Sequence, residues 1–247
     1  MRRAAPWLAR LAGVTALLLT VVIVICIPQP LFAHTMRYQN FDVWSDQEIS
    51  PQLESVLDDA NRRLRTSTLY RPEDRYKLFL CNAPWRLWLY GGHFSTRVGG
   101  FADTVATRNI YIRAADLPAN RVLMAPGMAL ADAAHRPLSY FIAHEAAHIM
   151  ESRRFGRLMY LRNPVWLSEG YADRVGKAGD FDFAENLQLF KLRTALLDPK
   201  RSGLYRRYQL EVDYLLAAPD ARVEQLFAQA PPEDALLEQL RATPGPR

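Results

Sequence analysis

His144, Glu145 and His148 form an H-E-x-x-H run within an apolar stretch of the 247-residue chain. Side chains on a helix advance by about 100° per residue, so positions i and i+4 leave the same face, one turn apart. That spacing lets two imidazole nitrogens reach one Zn2+ at about 2.0–2.1 Å each. Glu145 projects beside the same face, where a carboxylate can take a proton from a water on the metal. The surrounding residues Tyr140, Phe141, Ile142, Ala143, Ala146, Ala147 and Ile149 predict a largely buried helix. Burying two histidines and a glutamate there without a partner is costly, and a metal removes that cost.

A third ligand is at hand in the segment Trp166-Leu167-Ser168-Glu169-Gly170-Tyr171-Ala172-Asp173. Glu169 and Asp173 are again i and i+4, so one can bind metal while the other accepts a hydrogen bond from a ligand imidazole.

Together these two pieces resemble the gluzincin metallopeptidases, which include thermolysin and the zinc aminopeptidases; small bacterial peptidase-MA-like domains are closer in size. The resemblance covers residues 76–217 and is specific in the zinc motifs. It implies His144, His148 and Glu169 as zinc ligands, Glu145 as general base, and Asp173 as the carboxylate supporting His144. Family members often carry Asn just before the ligand Glu. Ser168 stands there in this chain, which removes the expected support for His148. The resemblance also implies a tyrosine that stabilises the oxyanion. Tyr205, followed by Tyr214-Leu215, has the aminopeptidase spacing, with Tyr208 as the rival. No Gly-x-Met-Glu-Asn motif is present, so selection for a free α-amine is not implied.

Several elements must position these residues. Ser50-Pro51 reads as an N-cap and first helical residue, followed by Leu53, Val56, Leu57, Ala60 and Leu64 on one face. Tyr76–Leu80 and Asn109–Arg113 read as strands, with Gly99-Gly100 turning the chain before the second. The resemblance makes Asn109–Arg113 an edge strand that pairs with an extended substrate. Pro137 opens the motif helix, which Gly156 stops, and Asn163-Pro164 opens the next, through Val175. Asp182–Glu185 is a capping box for a helix carrying Leu187, Phe190 and Leu197. A further helix spans Tyr205–Ala217. Strands first and helices after predict an α+β fold: a small mixed sheet followed by a helical half with the zinc site.

Arg2, Arg3 and Arg10 precede the uncharged run Leu11–Ile27, which predicts a signal-anchor. Residues 1–10 then stay in the cytoplasm, 28–40 form a short linker, and 41–247 lie outside as one hydrolase domain. The alternative is a cleaved signal peptide with Leu31-Phe32-Ala33 as its site and a secreted product. The net charge of +5 includes these three arginines, so no nucleic-acid surface is indicated. Cys26 sits in the apolar run, leaving Cys81 alone and reading as a small core residue. Trp85, Trp88 and Tyr90 line a cleft, approach the bilayer, or pack under a loop. His93 beside Gly92 is a weaker ligand candidate, and His34 and His135 have no ligand-like neighbours. Arg153, Arg154, Arg157 and Arg162 read as a solvated face, with contact to anionic lipid headgroups as the alternative.

The expected function is membrane-anchored, Zn2+-dependent peptide hydrolysis, with peptide or protein substrates near the membrane and lipid contacts through the N-terminal helix. The rival is a non-enzymatic binding or assembly module in which zinc is a structural staple, a role that usually needs four protein ligands.

Overall fold

The computed structural model describes residues 5–91, 98–125 and 127–244. Its first element is the apolar helix α1, Ala5–Cys26. Trp7–Cys26 is long and apolar enough to cross a membrane, and none of it is buried against the rest of the chain. The helix begins ahead of the Leu11–Ile27 run and takes in residues 5–10, where Leu8 and Ala9 continue its apolar surface.

The expected linker over 28–40 is instead structured. Pro28 and Phe32 are buried, and β1 (His34–Tyr38) turns directly into β2 (Phe41–Ser45) as an antiparallel pair. Then follow α2 (Leu53–Leu64), β3 (Tyr76–Cys81), α3 (Pro84–Tyr90), β4 (Gly100–Ala102) and β5 (Asn109–Arg113). The small hairpin β6 (Ala115–Asp116) and β7 (Arg121–Val122) leads into the helices. These are α4 (Leu138–Phe155), α5 (Arg157–Tyr160), α6 (Val165–Lys177), α7 (Phe183–Lys191), α8 (Pro199–Ser202), α9 (Arg206–Leu216), α10 (Val223–Ala228) and α11 (Glu233–Ala242).

The five-stranded sheet runs β1-β2-β3-β5-β4. β2, β3 and β5 are parallel, and β1 and β4 are antiparallel to their neighbours. Asn109–Arg113 is therefore an inner strand, contrary to the expectation of an edge, and β4 is the edge. The reason is visible in β5 itself: all five residues are buried. Ile110 and Ile112 face the main core with α2 and α4, while Tyr111 faces a second core with Phe32, Phe79, Leu87 and Tyr90. A strand buried on both faces reads as a continuous apolar run rather than an alternating one. Cys81 belongs to the second core, as a small buried residue.

Two helix boundaries also move. Ser50 and Pro51 lie in a turn, and α2 starts at Leu53. Leu197, expected on the helix opened by Asp182, falls in a separate short turn, because α7 ends at Lys191 and Arg193 takes positive φ. The Asp182 cap forms as expected, its side chain accepting from the Glu185 N–H.

Candidate metal centre

α4 is buried from Leu138 to Ser152, since it lies between the sheet, α2 and α6. That placement forces His144, Glu145 and His148 out of water, with only 5%, 8% and 5% of their surfaces exposed. α6 lies alongside and brings Glu169 between the two rings. Glu169 Oε2 is 3.3 Å from His144 Nε2 and 3.7 Å from His148 Nε2. Two atoms bound to one tetrahedral ion at about 2.0–2.1 Å sit about 3.4 Å apart. The three ligand atoms all lie within 4.8 Å of one another, so the donor set fits a single divalent cation.

The outer ring nitrogens are aimed at carboxylates. His144 Nδ1 is 3.4 Å from Asp173 Oδ1. Asp173 also accepts from the Tyr140 hydroxyl and, at 2.6 Å, from Lys177 Nζ. On the other side, His148 Nδ1 is 3.9 Å from Glu151 Oε1. Both Glu151 oxygens, His148 Nδ1 and Ser168 Oγ are buried without a close hydrogen-bond partner. Such orphaned groups fit an ion on Nε2, because a metal-bound imidazole carries its proton on Nδ1 and needs an acceptor there. Glu151 thus stands where the sequence left His148 without support from Ser168.

The electrostatics follow from this crowding. Burial opposes charge on His144, but the hydrogen bonds its ring donates to Asp173 and Glu169 outweigh it, and its pKa is pushed up to about 10. Burial also works against charge on His148, yet Glu169 holds its pKa above the usual imidazole value. Glu169 and Asp173 are held well below the usual carboxylate range: burial opposes this, but His148 and His144 dominate at Glu169, and Lys177 and His144 at Asp173. Burial raises Glu145 despite the two histidines. Glu151, buried with little compensation, is pushed up to about 8.

Two glycines let the edge strand approach this helix. A Cβ on Gly99 would lie 2.2 Å from Phe141 Cε1, and one on Gly100 would lie 2.9 Å from Glu145 Cγ. With neither present, β4 packs against α4 and the Ala102 N–H donates to the Glu145 carboxylate. A third glycine, Gly170, brings α9 against α6: a Cβ there would lie 2.3 Å from the Tyr208 carbonyl oxygen.

A cleft of about 590 Å3 opens over the cluster, lined by β4, both histidines, Glu145, Glu169, Tyr160 and Tyr205. Tyr205 precedes α9 rather than lying within it, and its ring stacks on His144 at 6.0 Å between centroids. Tyr208 stacks on Tyr205 and is not part of the lining. Tyr160 packs edge-on to His148. The structure thus brings together His144, Glu145, His148, Glu169, Asp173 and Tyr205.

Sequence reasoning missed Lys177, Glu151, Tyr140 and Tyr160. Lys177 at i+4 from Asp173, Glu151 at i+3 from His148, and Tyr140 at i−4 from His144 were readable from helical spacing. Tyr160 was not, since it arrives from a separate short helix.

Other candidates fall elsewhere. His135 pairs with Asp132, His34 is exposed on β1, and His93 lies outside the described residues. Arg153 and Arg154 pair with Asp74 and Glu224, while Arg157 and Arg162 are exposed. Trp85 and Trp88 are about half exposed, and Tyr90 is buried. No protein-family model matches this chain, and no curated protein sequence matches it.

Proposed function

We propose that this protein is a zinc-dependent peptidase of the gluzincin type, an α+β domain anchored to the membrane by α1 and acting on its outer side. The observation that carries this reading is one cleft holding two imidazoles and a carboxylate at metal-ligand spacing, with the Glu145 carboxylate beside them. His144, His148 and Glu169 would hold Zn2+; two nitrogens and one oxygen are a donor set that suits it. When bound, the ion supplies Lewis acidity toward water and toward a substrate carbonyl.

The chain's own residues account for the rest. Glu145, raised by burial, takes a proton from water in the cleft and returns it to the leaving amine. Tyr205 lines the cleft and donates to the carbonyl oxygen as charge develops there, a role for which it is better placed than Tyr208. β4, at the edge of the sheet among the described residues, offers backbone groups to an extended substrate. Asp173, fixed by Tyr140 and Lys177, orients His144, and Glu151 faces His148. A structural zinc staple fits less well: among the described residues the donor groups are three, and Cys81 lies in the core on the opposite face of the sheet.

α3 ties the end of α1 to the domain. The Tyr90 hydroxyl donates to the Val24 carbonyl at 3.0 Å, and Arg86 Nη2 donates to the Leu31 carbonyl at 2.8 Å. Trp85 and Trp88 are thereby held near the end of α1, where tryptophans favour a membrane–water interface. Substrates are then peptides or proteins close to the surface. Incubating the zinc-loaded full chain with a peptide library tests the activity. Cleavage lost in Glu145→Gln at unchanged zinc content supports it; full activity of that variant refutes it.

A further inference from the structure

Arg136 immediately precedes α4, and its guanidinium lies over the rings of Tyr140 at 5.3 Å and Phe141 at 4.9 Å. All three residues line the cleft above the metal cluster. Nη1 donates to the Ala131 carbonyl at 3.3 Å, while Nε is buried without a hydrogen-bond partner. The acidic residue closest in sequence, Asp132, is taken up by Arg206 at 3.0 Å and His135 at 2.8 Å. The acidic residues lining the cleft, Glu145 and Glu169, belong to the cluster. Among the described residues, Arg136 is therefore a fixed cation with no carboxylate paired to it and, the histidines apart, the cation that lines the cleft.

We infer that Arg136 is a binding subsite for a carboxylate of the peptide substrate. The inference rests on the peptidase reading and adds the substrate's chemical class to it. A guanidinium is a planar fork that accepts a carboxylate through two parallel hydrogen bonds. Two aromatic rings hold this one in place, so little side-chain freedom is lost on binding. Its distance from the metal is bridged by one side chain: the Tyr140 ring lies under Arg136, and the Tyr140 hydroxyl is 3.4 Å from His144 Nδ1. At about 3.3–3.6 Å per extended residue, the carboxylate belongs to a substrate residue within about three positions of the scissile bond. Its source is either the C-terminus of a peptide or an Asp or Glu side chain.

The test uses the full chain in detergent micelles, zinc-loaded and carrying Glu145→Gln so that bound peptides are not turned over. Three randomised hexapeptide pools are compared by retention and mass spectrometry. The first ends in a free carboxylate and excludes Asp and Glu. The second is C-terminally amidated and includes Asp and Glu. The third is amidated and excludes both. The expected result is at least tenfold stronger retention of the first or second pool than of the third, and the winning pool identifies the source. Adding Arg136→Gln should abolish this contrast, and Arg136→Lys, which keeps the charge without the fork, should reduce it severalfold if the glutamine variant fails to fold. Equal retention of the three pools, or a contrast that survives both substitutions, overturns the carboxylate subsite and leaves the peptidase reading standing. No retention of any pool removes the peptidase reading, and the subsite with it.

Discussion

Replacing Lys177 by methionine removes one charge from a pair whose side chains are only 2–3% exposed and whose atoms are 2.6 Å apart. At an effective dielectric near 20, the attraction over that distance is about 6 kcal/mol, most of it offset by desolvation of the two ions. Asp173 is then left with two options. It stays ionised with its remaining partners, Tyr140 and His144. Otherwise it takes up a proton, which at pH 7 costs a carboxyl of ordinary pKa about 4 kcal/mol. That route sets the ceiling, and the residual contact with His144 lowers the loss to about 3 kcal/mol. For a domain of this size the melting temperature should drop by about 6–12 °C. The sign of the pH dependence follows from Asp173, whose pKa is depressed in the folded chain. Its stabilisation is present above the unfolded carboxyl pKa, near 4, and is lost as pH falls below it, so the gap between the two proteins should close below about pH 4. Urea unfolding of the metal-free full chain, followed by tryptophan fluorescence, measures both effects. The double variant Asp173→Asn, Lys177→Met should lose less than the sum of the single variants, because neither charge is left unpaired. A loss under about 1 kcal/mol for Lys177→Met, or strict additivity in the cycle, would refute the reasoning.

Three further outcomes are expected. Gly100→Ala places a Cβ 2.7 Å from Ile112 Cδ1 and 2.9 Å from Glu145 Cγ; it should cost about 1–3 kcal/mol in stability and displace Glu145, with peptide turnover falling more than zinc affinity. Glu151→Gln keeps the shape but weakens the acceptor facing His148, so zinc affinity measured by chelator competition should fall by about tenfold; unchanged affinity would make Glu151 a packing residue only. Glu211 is fully buried, and burial pushes its pKa up to about 8 against the opposing charge of Arg207. Its carboxyl is protonated in the folded chain while ionised in the unfolded one, so stability should fall between about pH 4.5 and 8 by on the order of 4 kcal/mol, and Glu211→Gln should flatten that slope in thermal melts.

The parts of the site written on one helix were legible in the sequence, because helical spacing is rigid: His144 and His148 share a face, and so do Glu169 and Asp173. Their meeting follows from two apolar helices that must bury against each other. Sheet position was not legible in the same way. Asn109–Arg113 reads as a strand, but whether a strand is inner or edge depends on what pairs beside it. Here the partner is β4, three residues long and opening on a glycine, with too little pattern to announce itself. The same limit explains β1. Pro28-Gln29-Pro30 looks like a stiff exit, yet Phe32 anchors it in the second core and His34–Tyr38 pairs with β2, so the segment expected as a tether is part of the domain. Tyr205 was reachable only through the family resemblance, since no spacing rule links it to α4.

X-ray absorption at the zinc edge of the full chain, loaded with one equivalent of Zn2+, tests the metal centre most directly. The account predicts stoichiometric binding and a first shell of two imidazole nitrogens, one carboxylate oxygen and one oxygen from outside the chain. His148→Ala should change that shell and weaken binding. A sulfur scatterer, a third imidazole, or the absence of stoichiometric binding would contradict it.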